Sequence, residues 1–180
     1  MDNLLIRTER LEIRNLQLTD LQDFHSYRSN PDVTKYQGFD LMTLEQADEF
    51  INFQKDKLFG QPGEWVQYGI EDISIKKLVG DCAIKLELND PRIAEIGITV
   101  SNLYQKRGYA KEALTGILNW LFQTKQILRV VETVDVENNA CIELLECLGF
   151  RKEGHFIENT WHKGKWGSEF QYAMLKREWE

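Results

Sequence analysis

Residues 94–111 read AEIGITVSNLYQKRGYAK, and this stretch decides the fold more than any other part of the chain. Residues 93–100 are mostly apolar and β-branched, which favours a strand. Residues 108–124 then predict a long amphipathic helix, because apolar side chains recur there at helical intervals. The apolar stripe of that helix consists of Ala110, Ala113, Leu114, Ile117, Leu118 and Leu121.

The loop between this strand and this helix carries a local excess of positive charge. Lys106, Arg107 and Lys111 lie close together in the sequence, opposed only by Glu112. The first N–H groups of a helix are free and its dipole is positive there, so the helix start predicts an anion site. Gly108 lets a ligand approach the backbone closely. A pyrophosphate suits this site, whereas the glycine patterns of a dinucleotide fold and of a P-loop are both missing from the sequence.

The segments around this centre predict further strands and one more helix. Residues 65–73 and 78–88 have the composition of strands and precede the central one. Residues 128–134 predict a short strand, and residues 138–147 predict a helix. Gly149 fits the left-handed position that commonly follows the end of a helix.

The first part of the chain predicts one strand and two helices. Residues 10–16 alternate between apolar and polar side chains, as in a half-buried strand. Two capping-box spacings, starting at Thr19 and Thr43, predict the beginnings of the two helices. The first helix is expected to end at Asn30-Pro31 and the second near Leu58.

The order of elements predicts the architecture. Residues 150–159 and 169–176 favour a closing hairpin around residues 163–165, so the order is β-α-α-β-β-β-α-β-α-β-β. The strand–helix–strand unit implies one parallel pairing, whereas the hairpins imply antiparallel ones. We therefore expect a single domain over residues 1–180 of the α/β (α+β) class. Its centre would be a mixed, mostly antiparallel sheet flanked by helices.

Composition limits the class of partner and the location. A net charge of −7 disfavours attraction to nucleic acid or to an anionic membrane. No apolar stretch approaches the ~18 residues of a spanning helix, and residues 1–7 lack the features of a signal peptide. We therefore expect a cytoplasmic protein that binds neither nucleic acid nor membrane.

The cysteines and histidines predict neither disulfides nor a metal site. Cys82, Cys141 and Cys147 contain no Cys-x-x-Cys pair, and their number is odd, which is typical of a reducing compartment. The three histidines show no metal-ligand spacing with them.

Five segments resemble, in the same order, motifs of the GNAT superfamily of N-acetyltransferases, and specifically of its ribosomal-protein N-terminal (RimJ/RimL-like) branch. The segments are residues 8–14 (TERLEIR), Leu78-Val79-Gly80, residues 94–110, residues 137–150 (ENNACIELLECLGF) and residues 164–179. The resemblance implies the GNAT fold, in which two neighbouring strands splay apart at the acetyl-CoA site.

The resemblance also implies which residues bind acetyl-CoA, the co-substrate, without a metal. The pantetheine arm would lie where residues 98–100 splay from residues 128–134, and Asn138 would hydrogen-bond it. A backbone N–H near Ile98 would polarise the thioester carbonyl, as an oxyanion donor does. The implied coenzyme-binding residues are Ile98, Thr99, Val100, Gln105, Lys106, Arg107, Gly108, Tyr109, Ala110, Lys111, Asn138, Ala140 and Cys141.

The implied reaction is a direct attack of a neutral amine on the thioester in a ternary complex. At pH 7, an α-amino group of pKa ~7.8 costs about 1 kcal/mol to deprotonate, and a lysine of pKa ~10.4 costs about 4–5 kcal/mol. An α-amine therefore needs only a weak base, such as a carboxylate acting through one water. Glu95, on the same strand face as Gly97 and Thr99, is the first candidate base. Glu158, on the closing hairpin, is the second.

Two departures from the family pattern concern the acid that protonates the leaving thiolate. Leu145 occupies the position of the tyrosine acid of many relatives, and Cys141 the position of a serine in RimJ/RimL-like members. A thiol at a helix start, with a reference pKa of ~8.5, can donate a proton. Cys141 is therefore the candidate acid, although coenzyme A is a good leaving group without one.

The identity of the amine acceptor stays open at this stage. A protein N-terminal α-amine is favoured, and a small molecule such as a polyamine or an aminoglycoside-like drug is the alternative that suits an acidic surface. A non-catalytic acyl-CoA-binding domain is a further alternative. The acceptor pocket would be lined by Tyr36, Gln37, Trp161 and His162. A monomer and a homodimer are both compatible with the sequence.

Overall fold

An eight-stranded sheet forms the centre of the protein. The computed structural model describes residues 4–179. The strands are β1 (Leu5–Arg7), β2 (Leu11–Asn15), β3 (Trp65–Asp72), β4 (Lys77–Leu86), β5 (Ile93–Val100), β6 (Arg129–Asp135), β7 (Arg151–His162) and β8 (Lys165–Leu175). They lie in the order β1-β2-β3-β4-β5-β6-β8-β7. The β5–β6 pair is parallel and the other pairs are antiparallel, which confirms the predicted mixed sheet.

Five α-helices within residues 4–179 lie against the sheet. They are α1 (Leu21–Arg28), α2 (Pro31–Thr34), α3 (Leu44–Gln54), α4 (Tyr109–Asn119) and α5 (Asn139–Cys147). The apolar stripe of α4, including Ala113 and Ile117, joins the larger buried cluster together with Val130 of β6. Side chains of α1 and α3, such as Phe24 and Ile51, form a smaller cluster. Within residues 4–179, no helix has both the length and the apolar character needed to cross a membrane.

The first part of the chain contains two elements that the sequence pattern did not predict. Strand β1 pairs antiparallel with β2 at the edge of the sheet. Helix α1 ends before Asn30, as expected, but Asn30 then caps the short α2 by accepting the N–H of Asp32 (2.9 Å). Pro31 occupies the first position of α2, where its missing N–H costs nothing.

The start of α1 lies near its predicted position, but the predicted capping box at Thr19 is wrong. A 3₁₀ turn at Leu18–Asp20 precedes α1, and the carboxylate of Asp20 accepts the N–H of Gln17 (2.7 Å). Arg14 on β2 donates to the same carboxylate at 2.8 Å. This ion pair orients Asp20 towards the N–H of Gln17. The cap is therefore Gln17, two residues before the predicted Thr19.

The capping box of α3 is confirmed, whereas its predicted end is not. Thr43 Oγ1 accepts the N–H of Gln46 (3.2 Å), and Gln46 Oε1 accepts the N–H of Thr43 (2.9 Å). The helix ends before the predicted Leu58 because Asn15 of β2 binds the carbonyls that follow it. The Asn15 side-chain amide donates to the carbonyls of Lys55 (3.0 Å) and Lys57 (2.8 Å).

The second half of the chain follows the prediction with two changes in length. The helix predicted over residues 108–124 consists of α4 and a π-helical turn, Trp120–Thr124. The closing hairpin is longer than residues 150–159 and 169–176, and bulges interrupt the pairing of β7 with β8. Gly149 has a φ of +92°, as predicted for the residue after α5.

Candidate active site

A gap opens in the sheet between β5 and β6. The parallel pairing of these strands ends at Glu95 and Val131. Beyond it, β5 continues to Val100 paired with β4, and β6 continues to Asp135 paired with β8. The two strands therefore present unpaired backbone edges to each other, which an extended ligand can pair with.

The loop that follows β5 is exposed and shaped by positive φ angles. Lys106 has a φ of +61°, and Gly108 has a φ of +82° at the position that caps α4. Gln105 folds back, and its side-chain amide donates to the carbonyl of Val100 (3.1 Å). The first N–H groups of α4 lack partners within the helix. The predicted anion site thus combines exposed cations with free backbone donors.

Glu112, the one acidic residue beside the basic loop in the sequence, binds Thr8 and Arg10 rather than the cations of the loop. Glu112 accepts hydrogen bonds from Thr8 Oγ1 (2.5 Å) and Arg10 Nε (2.6 Å). Burial alone would raise the pKa of Glu112, but the bonds from Thr8 and Arg10 outweigh it and keep that pKa below its usual value. Arg10 also donates to the carbonyl of Arg107 (3.0 Å), which ties the loop to the β1–β2 turn. The ring of Tyr109 is buried in the core, so its contribution to a ligand site would be its backbone.

The start of α5, which follows β6, carries three more predicted residues, Asn138, Ala140 and Cys141. Asn138 caps α5 by accepting the N–H of Cys141 (3.3 Å). Cys141 is partly buried, and burial, followed by the charge of Glu132, raises the pKa of its thiol well above the usual range. Ala140 is exposed at the same turn, and Leu145 is fully buried in the core. The thiol is therefore a weaker acid than an ordinary cysteine.

Glu95 lies at the closed end of the gap and is paired with a lysine. Its Oε2 contacts Nζ of Lys85, its register partner on β4, and Lys85 also lies 3.5 Å from Glu87. Burial lowers the pKa of Lys85, but the hydrogen bond and charge of Glu95 outweigh this, so the net pKa is raised. Lys85 stays cationic and orients the Glu95 carboxylate.

Glu132, which the sequence pattern did not single out, is a further candidate site residue. It is only 7% exposed, and its Oε2 has no hydrogen-bond partner. Burial, and then the charge of Glu95, raise the pKa of Glu132 well above its usual value. A signal was present in the sequence: Glu132 alternates with Val130 and Val134 on the strand, so a carboxyl occupies a buried face.

Helix α2 contacts the tip of the closing hairpin, where the acceptor pocket is predicted. Lys163 at the hairpin tip donates to the carbonyl of Thr34 (2.5 Å). This contact brings together the segments that carry the four predicted pocket residues, Tyr36, Gln37, Trp161 and His162. Glu158, the second candidate base, is exposed in the β7 bulge with a φ of +49°, and its N–H donates to Ser168 Oγ (2.9 Å).

A buried ion pair lies next to β5 on the strand β4. Asp81, the register partner of Thr99, is fully buried and accepts from Arg28 Nη2 (2.5 Å) and Tyr27 Oη (2.7 Å). Gln67 donates to the same carboxylate. These contacts satisfy Asp81, so it supports the strand rather than offering a free carboxylate.

Other candidate sites do not coincide with the gap. A surface groove of about 730 Å³ runs between β1 and α4 and is lined by Gly108 and Lys111, but by neither Glu95 nor Asn138. Among residues 4–179, no three His, Cys, Asp or Glu side chains are grouped so as to hold a metal.

Comparisons with known proteins agree with this geometry. The family model described as an acetyltransferase (GNAT) domain matches residues 10–151. The uncharacterized N-acetyltransferase YnaD of Bacillus subtilis (strain 168) is 30% identical over 174 residues, covering 97% of this chain and 98% of YnaD. The structure of an acetyltransferase (GNAT family) from Bacillus anthracis has a TM-score of 0.88 and 28% identity, covering 97% of this chain and 100% of that one.

Two relatives with named acceptors are also similar. The spermidine N(1)-acetyltransferase of Vibrio cholerae serotype O1 is 25% identical over 158 residues, 87% of this chain and 88% of the relative. The ribosomal protein uS5-alanine N-acetyltransferase of Escherichia coli (strain K12) is 24% identical over 122 residues, 67% of this chain and 63% of the relative. The family model covers most of the chain, which therefore belongs to the GNAT family of acetyl-CoA-dependent N-acetyltransferases.

Proposed function

We propose that this protein, as one domain over residues 1–180, acetylates the α-amine of a protein N-terminus in the cytoplasm. Membership of the RimJ/RimL-like branch of the family is part of this proposal. The observation that carries the proposal is the position of Glu95, a carboxylate at the closed end of the gap, held by Lys85. The similarity to the uS5-alanine N-acetyltransferase supports the same class of acceptor.

The residues around the gap fit acetyl-CoA, which supplies an acetyl group activated as a thioester. Backbone groups of Ile98, Thr99 and Val100 would pair with the pantetheine arm, and the amide of Asn138 would donate to it. The exposed loop of residues 105–108 and the first turn of α4 would hold the pyrophosphate, because they combine cations with free helix N–H groups. Glu132, at the start of the gap, has a buried Oε2 without a hydrogen-bond partner, and a polar group of the bound ligand could supply one.

Glu95 suits an amine that is easy to deprotonate. Lys85 engages Oε2, so Oε1 remains to accept a proton from the amine, directly or through one water. Carboxylates are weak bases in general, with a reference pKa of ~4.3 for glutamate. An α-amine requires about 1 kcal/mol for deprotonation at pH 7, whereas an alkyl amine such as spermidine requires several times more.

A polyamine acceptor is the second candidate. The similarity to the Vibrio cholerae spermidine enzyme and the net charge of −7 favour it. A polyamine carries further ammonium groups, which a pocket would pair with carboxylates. The four residues proposed to line the acceptor pocket are Tyr36, Gln37, Trp161 and His162, and these carry no carboxylate. We therefore rank the α-amine first.

A direct comparison of acceptors tests the proposal. Initial rates would be measured with acetyl-CoA and short peptides beginning with Ser, Ala or Thr. The controls are the same peptides with a blocked N-terminus and an internal lysine, and spermidine. We expect at least tenfold higher kcat/KM for one of the free α-amines. A higher value for spermidine would favour the second candidate, and turnover of the blocked peptides would contradict the α-amine assignment.

A further inference from the structure

Glu132 is a buried carboxyl at the point where β5 and β6 separate. It is the first residue of β6 after the last pair between β5 and β6, Glu95 and Val131, and so it stands where the gap begins. Because side chains alternate along a strand, it shares a face with Val130 and Val134, opposite to that of Val131. Glu132 is only 7% exposed, yet its Oε2 has no hydrogen-bond partner.

In the part of the chain that the structure describes, no cation is paired with Glu132. Its register partner on β8 is Tyr172, whose hydroxyl donates to Glu146 (2.8 Å) instead. The other ionisable groups close enough to act on it are Glu95 and Cys141. Among residues 4–179, no ion pair includes Glu132. A buried carboxylate without a cation is so costly that the group takes up a proton.

We propose that Glu132 is the general acid of the reaction, and that its protonated carboxyl donates to the sulfur of coenzyme A. The inference rests on the proposed function, because it needs a thioester in the gap. Oε2 is buried with no hydrogen-bond partner among residues 4–179, and Glu132 is the first residue of the splayed part of β6, along which the pantetheine arm would lie. The bound ligand would then supply the missing partner.

The proton and electron balance of the step is simple. The amine nitrogen forms a bond to the thioester carbon, and the proton of the amine passes to Glu95. The carbon–sulfur bond breaks, its electron pair goes to sulfur, and the proton of Glu132 passes to sulfur to give the free thiol. Glu132 is left as a carboxylate and regains a proton from solvent after coenzyme A leaves.

Glu132 is a better acid than the two side chains expected from the family pattern. Leu145 has no proton to give. The thiol of Cys141 has a raised pKa, so its proton would move uphill to a thiolate whose reference pKa is ~8.5. The ordinary pKa of a carboxylic acid lies far below that of a thiol, so the carboxyl is intrinsically the stronger acid, and burial raises the pKa of both Glu132 and Cys141.

The test combines kinetics with infrared spectroscopy on Glu132→Gln, Glu132→Asp and the exposed control Glu143→Gln. We expect E132Q to lower kcat by roughly 10²-fold, the lower end for loss of a general acid, with the Kd of acetyl-CoA within about twofold of wild type. E132D should recover part of kcat, and E143Q should match wild type. A kcat of E132Q within about threefold of wild type would overturn the inference.

The spectroscopic arm does not depend on turnover. The difference spectrum of wild type minus E132Q at pH 7, without coenzyme, should contain a protonated-carboxyl carbonyl band that shifts when coenzyme A is added. The absence of this band, or a band that coenzyme A does not move, would overturn the inference even if E132Q is slow. If wild type acetylates no amine but the band is present and shifts, the proposed function fails while the placement of the donor stands. If E132Q does not fold, the spectrum of wild type minus E132D replaces it: the protonated-carboxyl band should change position in E132D, and an unchanged band would overturn the inference.

Discussion

Glu95 and Val131 are the last two residues that join β5 to β6, and Glu132 follows them immediately. Glu95 and Glu132 therefore lie at the same closed end of the gap but on opposite faces of the sheet, because side chains alternate along each strand. The geometry suits a reaction in which a base meets the amine on one face and an acid meets the leaving sulfur on the other.

The role of Glu95 as a base predicts a selective loss of turnover. Glu95→Gln should lower kcat by roughly 10²-fold for an α-amine peptide and leave the Kd of acetyl-CoA almost unchanged. The matched control is Glu87→Gln, because Glu87 also lies beside Lys85 (3.5 Å) but outside the gap. Equal kcat values for E95Q and wild type would remove Glu95 from the mechanism.

The burial of Glu132 predicts a pH-dependent difference in stability. The pKa of Glu132 in the folded protein is raised above its reference value of 4.5. The contribution of the Glu132 side chain to the free energy of unfolding is therefore fully present below pH 4.5, and it is lost as the pH rises towards the folded-state pKa. In wild type, ionisation of Glu132 in the unfolded chain stabilises the unfolded state as the pH rises, whereas Gln at this position does not ionise. The free energy of unfolding of E132Q should therefore increase relative to wild type, by up to about 1.4 kcal/mol per pH unit above the reference value.

Urea unfolding at pH 5, 6, 7 and 8 measures this difference. The ionisable groups near Glu132 are Cys141 and Tyr172 on its own face and Glu95 on the opposite face, whose charge still acts on it; all three are present in both proteins, so their own titrations largely cancel. Burial and the bond to Glu146 raise the pKa of Tyr172 to about 12, and its ionisation does not enter this range. A difference that stays constant from pH 5 to 8 would contradict a protonated Glu132.

The positive φ of Gly108 predicts a cost for any side chain there. Ala at +82° should cost about 1–2 kcal/mol of stability, and the new Cβ would lie 3.4 Å from Nη2 of Arg10. We also expect Gly108→Ala to raise the Kd of coenzyme A roughly tenfold, about 1.4 kcal/mol, because the backbone no longer approaches the ligand closely. Gly38→Ala is the control, since its Cβ meets nothing within 4 Å. Equal Kd values for the two variants would argue against the loop as the pyrophosphate site.

The buried ion pair of Arg28 and Asp81 predicts a large effect on stability. Arg28→Met should cost about 3–5 kcal/mol, because it leaves Asp81 charged and buried without its cation. Tyr27→Phe removes one hydrogen bond to the same carboxylate and should cost less, about 1.5–3 kcal/mol. Urea unfolding measures both, and a smaller loss for R28M than for Y27F would contradict this order.

Much of the fold could be predicted from the sequence, because local signals and long-range packing agree there. The alternation in β2, the apolar stripe of α4 and the glycine after α5 each depend on residues close in sequence. The predicted capping box at Thr19 was wrong, because Arg14 on β2 pairs with Asp20, and Asp20 caps the chain at Gln17 instead. The end of α3 was wrong for the same kind of reason, since Asn15 on β2 binds the carbonyls beyond it.

The candidate site was less predictable than the fold. Gly108 and Asn138 could be proposed because their motifs are local. The pairing of Glu95 with Lys85 depends on strand register, which the sequence pattern does not determine. Glu132 was missed because its importance comes from where the β5–β6 pairing stops, although a carboxyl between Val130 and Val134 was a visible anomaly.

Backbone hydrogen exchange tests the central claim, that acetyl-CoA binds in the gap between β5 and β6. The protein would be exchanged alone and with acetyl-CoA, coenzyme A or NADH at matched concentrations. We expect acetyl-CoA and coenzyme A to slow exchange in residues 97–100 and in the 105–111 loop, whereas NADH leaves both unchanged. Unchanged exchange in residues 97–100 with saturating acetyl-CoA, or equal protection by NADH, would contradict the account.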